Sequence, residues 1–500
     1  MGIIARQSIK GTIVTYLGVF VGFLTTFFVL TRFLTTEEIG LARVLIDTGT
    51  LFIGLAQLGT SSSIIRFFPY FKTSSSDPSY NGFFFWTVII PLFGFALFGF
   101  LYWLLHDSIA AVFTEKSALF VNYYYAVLPM AFFMLYQTIF ETNANVLMRI
   151  VFPRAVRELF LRLFLLAAYL LYAFRVVSMD GFIMLLCGAY GLAALMNIIY
   201  LFAYGHISLK PDFHFVTRSL ARKYFFYTLF QITAAIATVL APFISSYYIT
   251  ATMGLEYTGI FAIATYIATM VAIPNRSLNA IANPQLAQTT KDADQEGLSR
   301  LLKQVSNNSF LVGSMILAVI WLNIDLIFLI LPNGDTYAVA KYVVLFLGFS
   351  QLAIATFNAT ISVLNFSQYY YLSLLYSLIL TVAAILFNNS LVPIFGMNGA
   401  AVANLGSYLV YFALMLLTLA ICLKKSPFCV GHLKTLALLL ALFLVGEIIN
   451  SLMPVSCCMH ASCLKSAIWC AALYVAYRWE ISPELNETIR SSIDSRVRKS

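Results

Sequence analysis

The residues best placed to do chemistry are charged side chains set within or beside long apolar stretches: Arg43 and Asp47, Arg66, Glu141 and Arg276. A charge held in hydrocarbon costs about 2.5–3.5 kcal/mol on insertion scales, so each one there is a functional candidate by default. Arg43 and Asp47 are four apart on one helical face, and read first as a mutually neutralising pair and second as contacts for a hydroxyl-rich ligand. The planar guanidinium of Arg276 can hold a diphosphate through two parallel contacts. As a snorkelling anchor at a membrane surface it would need no such partner. Arg66 and Arg6 stand where an anionic headgroup would first be captured, and both serve equally as topology anchors. Glu141, with Asn143 and Asn145 beyond it, can bond ligand hydroxyls, carry a proton, or simply face water at a helix end. Cys457, Cys458, His460 and Cys463 cluster soft ligands at a spacing that fits no standard zinc pattern, so a disulfide or idle thiols is the preferred reading and no metal is expected. No GxxxxGK[ST], HExxH or GxGxxG occurs, which argues against ATP hydrolysis within the chain.

Of the 500 residues, 61% are hydrophobic and 10% charged, against about 45–50% and 25% in soluble domains. Single soluble cores stop growing at about 250–300 residues, so this excess excludes a soluble enzyme. Fourteen apolar stretches are long enough to cross about 30 Å of hydrocarbon: 11–32, 40–62, 83–105, 119–141, 160–178, 182–204, 225–250, 257–274, 308–331, 341–364, 370–391, 398–421, 433–453 and 464–480. They lack the ten-residue alternation of barrel strands, so the expected fold is an all-α polytopic membrane protein. The first stretch lacks a small-residue cleavage site and is expected to be retained. Tyr123-Tyr124-Tyr125 and Tyr369-Tyr370-Tyr371 fall at span ends, as interfacial aromatics should.

Basic residues collect on alternate connections. Arg66, Arg149, Arg154, Arg157, Lys223 and Arg276 fall on one side with most of the others, whereas Arg32, Arg43, Lys116, Arg175, Lys341 and Lys465 fall on the opposite one. The rule that basic residues stay inside then places both termini in the cytoplasm, and it explains the net charge of +9 without a nucleic-acid partner. The longest polar stretches, 205–224, 284–307 and the tail 481–500, are too short for a catalytic domain. Ser299-Arg300-Leu301-Leu302-Lys303 and the tail read either as amphipathic interfacial helices or as solvated connectors.

A repeat organises the chain. Glu37-Glu38-Ile39-Gly40-Leu41 returns as Glu256-Tyr257-Thr258-Gly259-Ile260, an offset of 219, and Met179-Asp180-Gly181 returns as Met397-Asn398-Gly399, an offset of 218. The expected division is two parallel six-helix bundles, 1–218 and 219–430, then two further spans in 431–480 and a cytoplasmic tail, 481–500.

That repeat, the opening RQSIKGTIVTYLGVFVGFLTTFFVLTRFLTTEEIGLARVLI, the SSIIRFFPYF after the second span and VPIFGMNGAAVANLGSYL before the twelfth resemble bacterial polysaccharide (O-antigen-type) flippases. Their superfamily also holds multidrug extruders and lipid II flippases. The resemblance implies two bundles facing a central cavity in a bacterial inner membrane. It further implies transport of an undecaprenyl-pyrophosphate-linked oligosaccharide to the outer leaflet by alternating access, alongside a polysaccharide polymerase and glycosyltransferases. The chain would be a transporter without a cofactor, and H+, Na+ or the membrane potential could each supply coupling. Many flippases of this family carry an Asp in span seven where this chain has Ser245-Ser246-Tyr247-Tyr248, so coupling through that Asp is in doubt. Two other readings stand beside this one. A cation-coupled multidrug extruder should carry carboxylates deep in spans one, seven, eight or ten, and spans one, seven and ten have none. A membrane-embedded glycan polymerase or ligase should have a sizeable outer loop, and the outer loops are short.

Overall fold

The computed structural model describes residues 3–71, 80–205, 210–212, 217–292, 294–452, 458–479, 481, 482 and 486, and no strand occurs among them. Hydrocarbon offers backbone groups no water, so an apolar chain satisfies them within helices. A helix overlies each of the fourteen stretches. Nine helical runs among the described residues are long and apolar enough to cross a membrane, and the chain is a multi-pass, all-helical membrane protein. Its packing resolves two compact units, Met1–Ala262 and Ile263–Ser500.

In the first unit α1 (Ile3–Leu24) continues through a π-turn, Thr25–Leu30, as far as Phe33. Helix α2 (Thr36–Ala56) starts on a capping box: Glu38 N–H donates to Thr35 Oγ1 at 3.3 Å, and Thr35 N–H donates to Glu38 at 2.8 Å. The Tyr172 hydroxyl also bonds the Glu38 carboxylate, so the first turn is doubly fixed. Leu58 and Gly59, at φ 48° and 65°, turn the chain into α3 (Thr60–Phe71). There follow α4 (Phe83–Leu104), α5 (His106–Phe113) and α6 (Val127–Val146). A second π-turn, Val156–Phe160, leads into α7 (Leu161–Ala173), then α8 (Met179–Gly205), α9 (Arg218–Thr252) and α10 (Leu255–Thr269). Phe67, Phe68 and Phe71 of α3 pack with Phe83 and Phe84 of α4 and with Leu135 and Ile139 of α6. Tyr124 stacks flat on Tyr102 at 4.1 Å, and each hydroxyl bonds the other residue's carbonyl. It is fully buried. Tyr124 is therefore a core residue rather than the interfacial aromatic its position suggests.

Lipid gives helices no hydrophobic drive to associate, so close backbone approach at small residues replaces it. A Cβ on Gly40 would lie 2.0 Å from the Leu255 carbonyl oxygen, and one on Gly259 would lie 1.9 Å from that of Thr36. Positions 36 and 255 share the offset of 40 and 259, so the contact is locally two-fold. The same logic places Gly18 of α1 against the Glu158 carbonyl in the second π-turn, 1.9 Å from where a Cβ would be.

The division falls within α10, and the second unit runs from Ile263 through a 3-10 turn, Met270–Ala272, into α11 (Ile273–Lys291). Pro274 has no N–H for the Met270 carbonyl four residues back, and Ile273 N–H takes that carbonyl instead, which tightens the turn. Asp294 caps α12 (Gln295–Leu322) by accepting from Gly297 N–H at 2.9 Å. Stretch 284–307 is consequently a helical hairpin rather than a connector. Ser299 to Lys303 form the first turns of a 28-residue helix, with Leu302 fully buried, not a separate interfacial helix. Helix α13 (Lys341–Phe366) precedes α14 (Tyr370–Cys422), whose 53 residues divide at Gly396, φ 57° and ψ −133°. Helices α15 (Val430–Leu452) and α16 (Cys458–Arg478) complete the unit. His432 of α15 lies 3.2 Å from Ser306 Oγ, while Asn307 donates to the Ile481 carbonyl at 2.8 Å and Ser482 donates to Asn308 at 2.6 Å. The start of the tail, Ile481 and Ser482, is thus buried on α12, neither a solvated connector nor an interfacial segment.

Candidate functional site

The charges foreseen inside the first unit are neutralised where they stand. Arg43 Nε donates to Asp47 Oδ2 at 2.8 Å, and Asp47 is 3% exposed. Ser246 of α9 hydrogen-bonds the same carboxylate, and Tyr190 of α8 faces both charges. Beside them Tyr247 OH donates to Thr48 Oγ1 at 2.9 Å.

Glu141 neither faces water nor stands free. It is 7% exposed, and its Oε1 accepts from Arg157 Nη1 at 2.7 Å. Arg157 also reaches Glu158 at 3.3 Å, and Arg162 reaches Glu158 at 3.4 Å. The π-turn sets Arg157 and Glu158 against α6 and α1. Arg154 crosses α1 at Gly11, where a Cβ would lie 2.8 Å from its Nη1. Arg66 is exposed on α3, its guanidinium 4.3 Å from the ring centre of Tyr227 on α9, a contact worth about 0.5–1 kcal/mol at such a site. The side chains of Arg6, Cys457, Cys458 and His460, and the tail beyond 486, lie outside the described residues. Cys463 is a free, exposed thiol, and no group of metal ligands forms among the described residues. The outlying carboxylate Asp325 pairs with Lys341 at 2.8 Å.

The second unit is built differently. Arg276, in the first turn of α11, is exposed and makes no ion pair among the described residues. Behind it runs a seam of neutral polar groups between α11, α12 and α13. Asn275 is 2% exposed, Thr360 1%, and Ser309 and Ser314 are fully buried. Both polar atoms of Asn275, Oδ1 of Asn279 and the hydroxyls of Ser309, Ser314 and Thr360 have no protein hydrogen-bond partner among the described residues. Asn275 Nδ2 lies 3.9 Å from where a Cβ on Gly313 would be, which places it against α12. Further along, Ser362 Oγ donates to Asn283 Oδ1 at 3.0 Å. Buried polar groups left without partners are uncommon, and a site with several of them calls for water or a polar ligand.

Arg43 and Asp47 are thus brought together, as are Glu141 and Arg157. Arg66 is set apart on an aromatic ring, and Arg276 stands in the other unit. Sequence reading missed the seam, although Asn275, Asn279 and Asn283 recur at four-residue spacing on one helical face. It also missed the pairing of Arg157 with Glu141, for which no local spacing rule exists.

No curated protein shows significant sequence similarity to the chain. Among solved structures, the lipid II flippase MurJ in an inward closed conformation is similar at TM-score 0.69 and 11% identity, covering 94% of this chain and 99% of that one. An inward-facing multidrug resistance MATE family transporter of the MOP superfamily follows at 0.60 and 13%, covering 83% and 96%. A MOP superfamily transporter from Pyrococcus furiosus is similar at 0.55 and 14%, covering 85% and 96%. At such identities the likeness is one of fold. Residues 8–290 match the family described as polysaccharide biosynthesis protein. This match spans more than half of the sequence, and the chain accordingly belongs to that family.

Proposed function

We propose that the chain is a flippase that carries a lipid-linked oligosaccharide, held through an undecaprenyl pyrophosphate, from the cytoplasmic to the outer leaflet by alternating access. In this reading fourteen spans form two parallel six-helix repeats plus two, both termini are cytoplasmic, and the membrane is the bacterial inner one. The reciprocal contact of Gly40 and Gly259 supports the repeat, because its four positions pair at the same offset. Polysaccharide polymerase and glycosyltransferases would be the working partners. Ion coupling, by H+ or Na+, or drive by the membrane potential belongs to the same proposal.

The observation that carries the substrate class is Arg276, an exposed cation without a carboxylate partner among the described residues, standing over neutral polar groups. Such a pair of features suits an anionic diphosphate joined to a hydroxyl-rich glycan. A multidrug extruder is less well supported, since the carboxylate deepest in the first unit, Asp47, is already neutralised by Arg43.

The test is complementation of surface polysaccharide in a flippase-deleted strain, with membrane abundance measured in parallel. Arg276→Lys should impair function, because an ammonium cannot reproduce the planar two-point contact, and Arg276→Ala should impair it more. Full activity of both variants at normal abundance would remove Arg276 from the transport path.

A further inference from the structure

The first unit encloses a cavity of about 380 Å³ that the charged groups do not use. Phe52, Phe98, Leu101, Phe113, Phe120 and Tyr247 line it, from α2, α4, α5, the connection after α5, and α9. Its polar groups are already satisfied. The Tyr247 hydroxyl donates to Thr48, and the Tyr102 hydroxyl donates to the Tyr124 carbonyl. Water entering would find almost nothing to bond, and apolar cavities of this kind stay dry and take up apolar guests.

The cavity wall also identifies the route by which a guest arrives. Leu101 and Leu105, which line it, are 38% and 48% exposed. They stand about one helical turn apart at the C-terminal end of α4, where Leu105 is the C-cap. The same helix exposes Phe93 at 69%, Phe100 at 57% and Trp103 at 57%. This helix runs Phe83–Leu104 with a mean hydropathy of 2.2, as a flank against hydrocarbon requires, so a molecule in the bilayer can reach the exposed lining residues. Scaled from a 150 Å³ cavity that holds benzene, the volume accommodates on the order of fifteen carbons. That is the size of one fatty acyl tail.

We propose that this cavity is a binding site for one acyl chain of a bilayer phospholipid. The site is separate from the transport reading and does not depend on it. A bound chain would fill the space between α2 and α4 that side chains leave open, so the lipid is part of the packed unit.

The experiment uses the full chain in its membrane, with the photoreactive residue benzoylphenylalanine in place of Phe113, Phe84 or Phe93. Phe113 is 8% exposed and lines the cavity, Phe84 is 1% exposed in the aromatic core, and Phe93 faces the bilayer. On irradiation, the reporters at 113 and 93 should both gain the mass of a phospholipid, and the one at 84 should not. Adding Leu55→Trp, which projects into the cavity, should abolish the adduct at 113 and leave that at 93. A reporter at 113 as silent as that at 84, or one that captures a polyprenyl mass instead, overturns the proposal. Native mass spectrometry of the unmodified chain provides a second reading that needs no reporter. One phospholipid should survive detergent release with the wild type and be lost with Leu55→Trp, and equal loss from both would overturn the assignment.

Discussion

The two units bury polar groups by opposite means. In the first, Asp47 and Glu141 are charged, enclosed and matched to arginines at 2.8 and 2.7 Å. In the second, Asn275, Asn279, Ser309, Ser314 and Thr360 are neutral, enclosed and unmatched. The first unit holds such groups too, Asn197 with both polar atoms unpartnered and Asn143 with its Oδ1, but fewer of them among the described residues. A buried ion pair is destabilising to break, so Arg157 with Glu141 ties the π-turn to α6, while Arg43 with Asp47 neutralises charge within α2 itself. Neutral groups without partners hold nothing in place, and they favour whatever polar molecule can reach them. The contrast suggests a first unit set by its charges and a second unit left open to polar contact.

The largest effect is expected from breaking a charge pair. Arg43→Leu leaves Asp47 buried without its cation and should cost on the order of 3 kcal/mol, read as loss of thermal stability in detergent. Arg43→Leu combined with Asp47→Leu should recover most of that loss. If the double variant unfolds as readily as the single, charge pairing is not what holds the first unit. A smaller effect is expected from crowding. Gly259→Ala drives a methyl group into the Thr36 carbonyl and should cost about 1–3 kcal/mol. In the second unit, Gly348→Ala meets only the tip of the Leu317 side chain, 2.5 Å away, rather than backbone, and should be milder. Equal destabilisation by the two alanines would erase this part of the contrast. The smallest effect on stability is expected in the seam. Asn275→Leu removes two unpaired polar atoms from a buried site and should shift stability by less than about 1 kcal/mol, in either direction. Transport should nevertheless fall if the seam takes part in it. A loss of stability as large as that of Arg43→Leu would show that Asn275 is matched after all.

How much of this was legible in the sequence depends on how local each interaction is. Arg43 and Asp47 could be paired on paper because four residues make one helical turn. Glu141 and Arg157 are sixteen residues apart and meet only because the chain reverses and passes through a π-turn, so Glu141 reads as a solitary carboxylate. Composition and stretch length were enough to give the helices and the membrane, since both follow from backbone groups having no water to bond. The polarity of 284–307 was misleading: Asp294 supplies a helix cap, and the polar residues around it occupy helical turns instead of a loop. The burial of Tyr124 was equally hidden, because its partner Tyr102 comes from the helix before the intervening connection.

The π-turns at Thr25–Leu30 and Val156–Phe160 give this first unit a mechanical property. Each inserts one residue beyond the α-helical count, which amounts to a stored increment of screw motion. Resolving the turn at Val156–Phe160 into ordinary helix would rotate what lies beyond it by about 100° and shift it by about 1.5 Å along the axis. That movement would carry Arg157 off Glu141 and lift the Glu158 carbonyl from its seat on Gly18. Two contacts far apart in sequence would therefore have to break together before this helix could change register.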